Sequence, residues 1–245
     1  MEVLAHDSNN LAKALGIRHL AVIMDGNRRW AKSKNLPTIE GHRAGVQSLK
    51  NLVKSCHRLN IEYLTVYAFS TENWKREKTE LDFLFKLLAE AAIGELSSLK
   101  HQNVRVKFLG DIDAFKDFNI YQALKNLEDQ TALNNGTKLQ IALNYGSMAE
   151  ILNAAKNIKS SLSEQEIDSL DCAGFSQFLY TAGIPDPEIM IRTGGEQRLS
   201  NYLLWQLADA HLSFVDTLWP DFSESDLVSV INLFKNGSAQ TTANK

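Results

Sequence analysis

Short apolar runs alternate with longer stretches of helical period along this chain. Residues 20–24 form an uninterrupted apolar run and read as a buried strand. Residues 44–59 carry apolar side chains at Val46, Leu49, Leu52, Val53, Cys56 and Leu59, the spacing of one helix face. Residues 61–69 are rich in β-branched and aromatic types and predict a second strand. A long helix follows over 81–99, with Thr79 as its N-cap and Asp82 near its start. The pattern continues with a strand at 104–109, a helix near 115–133, a strand at 139–143 and a helix at 148–158. A short helix at 175–180, strands at 188–191 and 212–217 and a helix at 223–234 complete it. Such alternation predicts an α/β fold, a central, mostly parallel sheet surrounded by helices.

In open α/β sheets, ligands bind beyond the carboxyl ends of the strands. Four predicted strands here run into polar segments bearing glycine or aromatic residues. They are Asp25-Gly26-Asn27-Arg28-Arg29-Trp30, Ser70-Thr71-Glu72-Asn73-Trp74-Lys75-Arg76, Asn144-Tyr145-Gly146 and Arg192-Thr193-Gly194-Gly195-Glu196. Parallel strands would place all four on one sheet edge. Arg28, Arg29, Arg76, Arg192 and Arg198 lie in or beside them. Guanidinium groups match phosphate oxygens bidentately, and glycines let backbone amides approach an anion. Two arginine groups far apart in sequence predict two anionic groups. Asp25, amid these cations, is a candidate ligand for a magnesium ion bridging phosphate oxygens.

The helix at 81–99 adds an apolar component. Leu81, Leu84, Phe85, Leu88 and Ala92 form a stripe that Phe83, Leu87 and Ala91 widen. The stripe suits core packing. Beside an anionic site it would also suit the wall of a hydrocarbon tunnel, with Ala89, Ala91, Ala92 and Gly94 leaving room.

Composition narrows the choice. The chain has 245 residues and a hydrophobic fraction of 44%, and no linker or internal repeat interrupts it. Three stretches are expected: an extension at 1–17, one domain at 18–235 and a disordered polar tail at 236–245. The net charge of −3 gives no reason to expect nucleic acid. Cys56 and Cys172 fit neither a zinc spacing nor a disulfide framework. No signal peptide or membrane span is visible, so a cytoplasmic protein that meets any lipid from the water side is expected. The nucleotide-binding glycine loops and a His-Glu-x-x-His motif are missing.

The segment from His19 to Lys32, with Ile23-Met24-Asp25-Gly26-Asn27-Arg28-Arg29-Trp30 at its centre, closely resembles the first signature of cis-prenyltransferases. Later motifs follow in that family's order: Gly41-His42-x-x-Gly45, Tyr67-Ala-Phe-Ser-Thr-Glu-Asn-Trp74, Asn144-Tyr145-Gly146, Ile191-Arg-Thr-Gly-Gly-Glu-x-Arg-Leu-Ser-Asn201 and Leu218-Trp-Pro-Asp-Phe222. The resemblance implies a hydrophobic tunnel walled by two helices, a homodimer, and Mg2+ dependence. It implies a transferase that condenses isopentenyl diphosphate with an allylic diphosphate such as farnesyl diphosphate to give a polyprenyl diphosphate. Release of such a product implies peripheral membrane contact. By the same resemblance, Asp25 is the magnesium aspartate. Gly26, Asn27, Arg28 and Arg29 hold the allylic diphosphate, assisted by His42 and Arg76. Trp30, Ser70, Thr71, Glu72, Asn73 and Trp74 contact substrate. Arg192, Arg198, Leu199 and Ser200 belong to the isopentenyl diphosphate site. The family assigns Asn73 to proton abstraction; an amide is a poor base, which favours an orienting role, with a diphosphate oxygen taking the proton.

The sequence departs from the family in four places. Thr38 replaces an arginine, Glu77 replaces a proline, and the basic ending of many members is missing. His211 stands at the position of a second metal-site glutamate, with Asp209 nearby. Other readings of the chain are a non-catalytic partner subunit, a short-chain Z-prenyl diphosphate synthase and a general phosphate-binding module.

Overall fold

The computed structural model describes residues 12–242, the stretch 236–242 as backbone alone. Its centre is a six-stranded sheet in the order β3-β4-β2-β1-β5-β6, and every strand pair is parallel. The strands are β1 (His19–Ile23), β2 (Tyr63–Ser70), β3 (Arg105–Leu109), β4 (Lys138–Tyr145), β5 (Ile189–Arg192) and β6 (His211–Phe214). Successive side chains of a strand point to opposite faces. Leu20 and Val22 of β1 therefore enter one apolar core, and Ala21 and Ile23 a second on the other face. Burial on both faces explains why β1 shows no polar alternation.

The helices are α1 (Asn27–Ser33), α2 (Thr38–Arg58), α3 (Lys78–His101), α4 (Ile120–Thr131), α5 (Ser147–Ser161), α6 (Glu164–Asp168), α7 (Cys172–Ser176) and α8 (Glu224–Thr242). The larger core gathers Leu52 and Val53 of α2, Leu84 and Phe85 of α3, Leu124 of α4 and Leu227 of α8. An apolar cavity of about 200 Å³ lies between α2, α3 and the sheet, lined by Val46, Leu49, Leu87, Leu88, Ala91, Ala92 and Ile141 among others. Ala92 is buried there. Gly94, expected to leave room on the same face, is exposed and has no atom within 4 Å of where a side chain would begin.

Two elements cross the expected boundaries. Ala12 and Ile17 pack into the core, so the domain begins before residue 18; residues 1–11 lie outside the described residues. α8 runs on to Thr242, past the expected end at 235. A helix already formed adds one hydrogen bond per residue as it propagates, and no proline interrupts it. Residues 243–245 lie outside the described residues.

Candidate active site

The parallel sheet brings the carboxyl ends of β1, β2, β4 and β5 to one edge, as the strand pattern predicts. β1 ends at Ile23, and Gly26 turns the chain into α1 with a φ of 117°, a conformation that costs a side chain but not glycine. The Trp30 N–H donates to Gly26 O at 2.8 Å and closes the first turn. Asp25 is held between these events. Its N–H donates to Thr193 Oγ1 at 3.0 Å, and its carbonyl accepts from Thr193 Oγ1 at 2.7 Å and from Trp219 N at 3.0 Å. α2 approaches closely because Gly45 has no side chain: a Cβ there would lie 2.4 Å from Asn27 Oδ1.

The Asp25 carboxylate is shared by two arginines. Oδ1 accepts from Arg29 Nη2 at 3.0 Å and Oδ2 from Arg192 Nη2 at 2.9 Å. Arg192 is buried at the end of β5, and its Nη1 donates to Arg198 O at 2.5 Å and Ser200 Oγ at 2.7 Å. Ser200 and Asn201 both adopt left-handed backbone, with φ of 52° and 61°. Tyr67 ties this turn to β2, donating from its hydroxyl to Ser200 O at 3.4 Å and Tyr145 O at 3.1 Å. Arg198 is exposed and pairs with Glu196.

A second cationic group faces the first across the cleft. Arg76 Nη1 donates to Glu80 Oε1 at 3.0 Å, and Arg28 pairs with the same carboxylate. His42 Nε2 is 3.5 Å from Glu80 Oε1. Burial, reinforced by the charge of Arg76, pushes the His42 imidazole down to about 4 despite Glu80, so it is neutral near pH 7. Burial pushes the Glu80 carboxyl upward, but Arg28, Arg76 and His42 outweigh it and hold the group below its ordinary value.

Asp25, Asn27, His42, Ser70, Glu72, Asn73, Arg76, Arg192, Arg198 and Ser200 all line one cleft, which shares Met24, Asn27, His42, Ala68, Phe69 and Leu84 with the apolar cavity. Asn27 Oδ1, His42 Nε2 and Arg192 Nε are buried without a hydrogen-bond partner. Three orphaned polar atoms around one cleft are groups that a polar ligand would satisfy. Asn73 has a local task as well: its Oδ1 accepts from Ser70 N at 3.1 Å, capping the 3₁₀ turn Thr71–Lys75. Its oxygen is thus committed to the backbone, leaving the amide NH2, a donor, for a ligand.

Other residues expected to contact substrate have partners within the protein. Trp30 donates to Asp221 Oδ1 at 2.7 Å and stacks under Lys34. Trp74 donates to Asn144 Oδ1 at 2.8 Å and packs among Phe69, Phe85, Phe115 and Phe118. Leu199 packs in the smaller core, and Thr71 lies beside Gly146. Thr38 begins α2 and is exposed, one turn before His42. Glu80 was not anticipated, although its place four residues after Arg76 on a helix is a readable ion-pair spacing.

His211 is the clearest departure from expectation. It opens β6, level with Ile189 and, through it, with Leu20. Asp25 lies five residues further along the strand direction, about 16 Å at the rise of a parallel strand. Within one chain His211 cannot share a metal with Asp25, and Asp209 lies still further from it. Among the described residues no group of three or more His, Cys, Asp or Glu could hold a metal ion. The donor set therefore does not fit an all-protein cage. One carboxylate beside orphaned polar groups does fit magnesium arriving with a diphosphate, since that ion is commonly held by one or two carboxylates plus substrate phosphates.

Residues 23–241 match a family model described as putative undecaprenyl diphosphate synthase. The chain is 42% identical over 231 residues to the ditrans,polycis-undecaprenyl-diphosphate synthase ((2E,6E)-farnesyl-diphosphate specific) of Micrococcus luteus, covering 94% of this chain and 92% of that one. It is 45% identical over 224 residues to the isoprenyl transferase of Clostridium acetobutylicum, covering 89% and 87%. Among solved structures it is similar to lavandulyl diphosphate synthase from Lavandula x intermedia in complex with dimethylallyl diphosphate. That match has a TM-score of 0.84 at 32% identity and covers 90% and 96% of the two chains. A probable undecaprenyl diphosphate synthase from Campylobacter jejuni matches with a TM-score of 0.73 at 33% identity, covering 90% and 95%.

Proposed function

The chain belongs to the undecaprenyl diphosphate synthase family of prenyltransferases and carries out cis-prenyl chain elongation, and from that premise we propose how its cleft divides the work. The allylic substrate is farnesyl diphosphate, the starter named for the Micrococcus luteus relative. Its diphosphate binds Arg28, Arg29, Arg76 and His42 together with Asn27 and the amides opened by Gly26. Its hydrocarbon enters the cavity walled by α2 and α3. Isopentenyl diphosphate binds on the opposite side, at Arg192, Arg198 and Ser200. The single observation that carries this reading is the cleft's arrangement: two cationic groups flank Asp25, and the floor between them continues into an apolar cavity.

The cations of the cleft are paired with the protein's own carboxylates, Asp25, Glu80 and Glu196. Substrate diphosphates would exchange with these carboxylates as the partners of preorganised arginines. Family members are generally metal-dependent, and we propose Mg2+, held by Asp25 and diphosphate oxygens. When bound, it neutralises charge on the departing diphosphate. The arginines stabilise the same developing charge from fixed positions. The double bond of isopentenyl diphosphate attacks the allylic carbon through its terminal CH2, diphosphate leaves, and C2 of the isopentenyl unit, next to the cationic C3, loses a proton so that a Z double bond forms between C2 and C3. Asn73 donates to substrate and orients it, since its oxygen already serves the backbone. The proton goes to a diphosphate oxygen.

The protein works as a homodimer in this reading. Met148 and Leu152, one turn apart on α5, are exposed apolar side chains, and Leu204 beside them is tied to α5 by its N–H on Ser147 Oγ at 2.9 Å. That patch supports a second copy as its cover. No helix among the described residues is long and apolar enough to cross a membrane. We place the enzyme in the cytoplasm, releasing its product by peripheral contact with a membrane.

The test is conversion of radiolabelled isopentenyl diphosphate by the purified chain, with farnesyl diphosphate and magnesium. Wild type should give extractable polyprenyl product. Asp25→Ala should retain no more than trace turnover while keeping its circular dichroism spectrum. An Asp25→Ala variant with wild-type turnover would remove Asp25 from the chemistry, and an inert wild type would favour a partner-subunit role.

A further inference from the structure

The cavity is small for the product of repeated condensation. A cavity of about 150 Å³ holds one benzene ring, so a five-carbon prenyl unit needs on the order of 100 Å³. At about 200 Å³ the cavity holds roughly two units. Protein interiors are close-packed, so further growth needs a wall to move. The sheet side of the cavity is the central parallel sheet. The opposite wall is the seam between α2 and α3, two helices that both start at the cleft.

Few polar groups bridge that seam among the described residues. At the cleft end, His42 approaches Glu80 and the Arg43 guanidinium lies 5.7 Å from the Phe83 ring centre. Further along, Lys50 Nζ pairs with Glu95 Oε1 at 2.6 Å, and the lining continues past the pair to Lys54, Ser98 and Gln102. Lys50 is about 12 Å beyond His42 along α2, and Glu95 about 22 Å beyond Glu80 along α3, at the helical rise per residue. Both residues line the cavity, where the walls are otherwise mostly apolar. Their side chains are 32% and 28% exposed. The pair is therefore drawn partly out of water, and truncating one partner strands the other against an apolar wall. Between the two tie points the seam carries Val46, Leu49, Leu87 and Ala91, whose contacts a hydrocarbon can replace at little cost.

We propose that the Lys50–Glu95 ion pair is a chain-length determinant, a clasp across the α2–α3 seam against which the growing prenyl chain must work. This rests on the reading of the cavity as the site of the hydrocarbon. Each condensation pushes the tail further from the diphosphate and toward the clasp. While the pair holds, it opposes parting of the helices and favours release of the product. When it is neutralised, the seam parts more readily and elongation continues.

The experiment compares product ladders, resolved by reverse-phase chromatography, for wild type, Lys50→Met, Glu95→Gln and the charge-exchanged Lys50→Glu/Glu95→Lys. Farnesyl diphosphate, isopentenyl diphosphate and magnesium are held constant, and melting temperatures are recorded. Both neutral variants should shift the ladder by at least one prenyl unit toward longer chains, and the exchanged pair should return it toward wild type. Return by the exchanged pair is an outcome that mere loss of packing would not give. An unchanged or shortened ladder in the neutral variants overturns the proposal, as does loss of all product in both. A wild type that makes no prenyl product instead removes the reading of the cavity itself, and the two failures are distinct.

Discussion

Arg192→Lys tests the claim that the buried guanidinium works as a fork. Arg192 makes three hydrogen bonds through two nitrogens: Nη2 to Asp25 Oδ2 at 2.9 Å, and Nη1 to Arg198 O at 2.5 Å and Ser200 Oγ at 2.7 Å. Asp25 and the Ser200 turn lie on opposite prongs. A lysine ammonium is a point charge at the end of a shorter stem and cannot span both. The side chain is only 4% exposed, so water does not replace the bond that is lost. At least one charge-assisted hydrogen bond disappears, a loss of about 1.5–3 kcal/mol. At 1.4 kcal/mol per factor of ten, kcat/KM for isopentenyl diphosphate should fall about 10- to 150-fold. The assay varies isopentenyl diphosphate at saturating allylic substrate, then reverses the roles. KM for the allylic substrate should change less, because Arg28 and Arg76 lie on the other side of the cleft and Arg29 still holds Asp25 Oδ1. An Arg192→Lys enzyme indistinguishable from wild type would refute the fork. Equal damage to both substrates would refute the division between the two cationic groups.

Two further outcomes follow from burial. Ala92→Leu, which fills the cavity, should shorten the product ladder, whereas Gly94→Leu, which meets open space on the exposed face, should leave it unchanged; chromatography of both product sets decides, and equal shifts would show that the cavity wall is not the determinant. Stability should depend on pH through His19 and His42, both held down to about 4 by burial from an ordinary 6.5. Between those values the unfolded chain binds more protons, so stability rises with pH. The penalty is absent above pH 6.5, grows as pH falls, and reaches roughly 3 kcal/mol for each histidine near pH 4. Melting temperatures should therefore be flat above pH 7 and fall clearly by pH 5; a flat profile down to pH 5 would contradict the burial of neutral imidazoles.

Legibility in the sequence followed the strength of the apolar signal. β1 and β2 were readable because both faces of the sheet are covered and the runs are continuous. The start of α2, Thr38 to Arg43, was not, because its inner face is Gly41, small so that α1 can approach. A Cβ at Gly41 would lie 2.1 Å from Asn27 O, so close contact there erases the hydrophobic periodicity that announces the rest of the helix. α6 was passed over although Ser163 and Glu166 form a capping box, since four polar residues and a single isoleucine carry no period.

The site was legible to the extent that strand direction decides it. Four segments meet because the strands are parallel, and motif order alone carries that information. Which side chain of a segment faces the cleft is a different question, settled by tertiary contact. Trp30 and Trp74 stand in motif segments yet are claimed by Asp221 and by a cluster of phenylalanines. Glu80 stands outside those segments yet joins the cationic group, because α3 returns to the cleft at its N-terminus and puts residue 80 one turn from Arg76. His211 shows the same limit in reverse. Its neighbourhood in sequence matches the metal position of the family, but register places it with Leu20 at the opposite edge of the sheet. Continued past the strand ends, that register sets Asp216 level with Asp25, two past the Arg192–Phe214 pair as Asp25 is two past Ile23. Any role of position 211 in the chemistry of Asp25 must then come from outside its own chain, and a magnesium titration of His211→Glu reports on the assembly rather than on the cleft of a single copy.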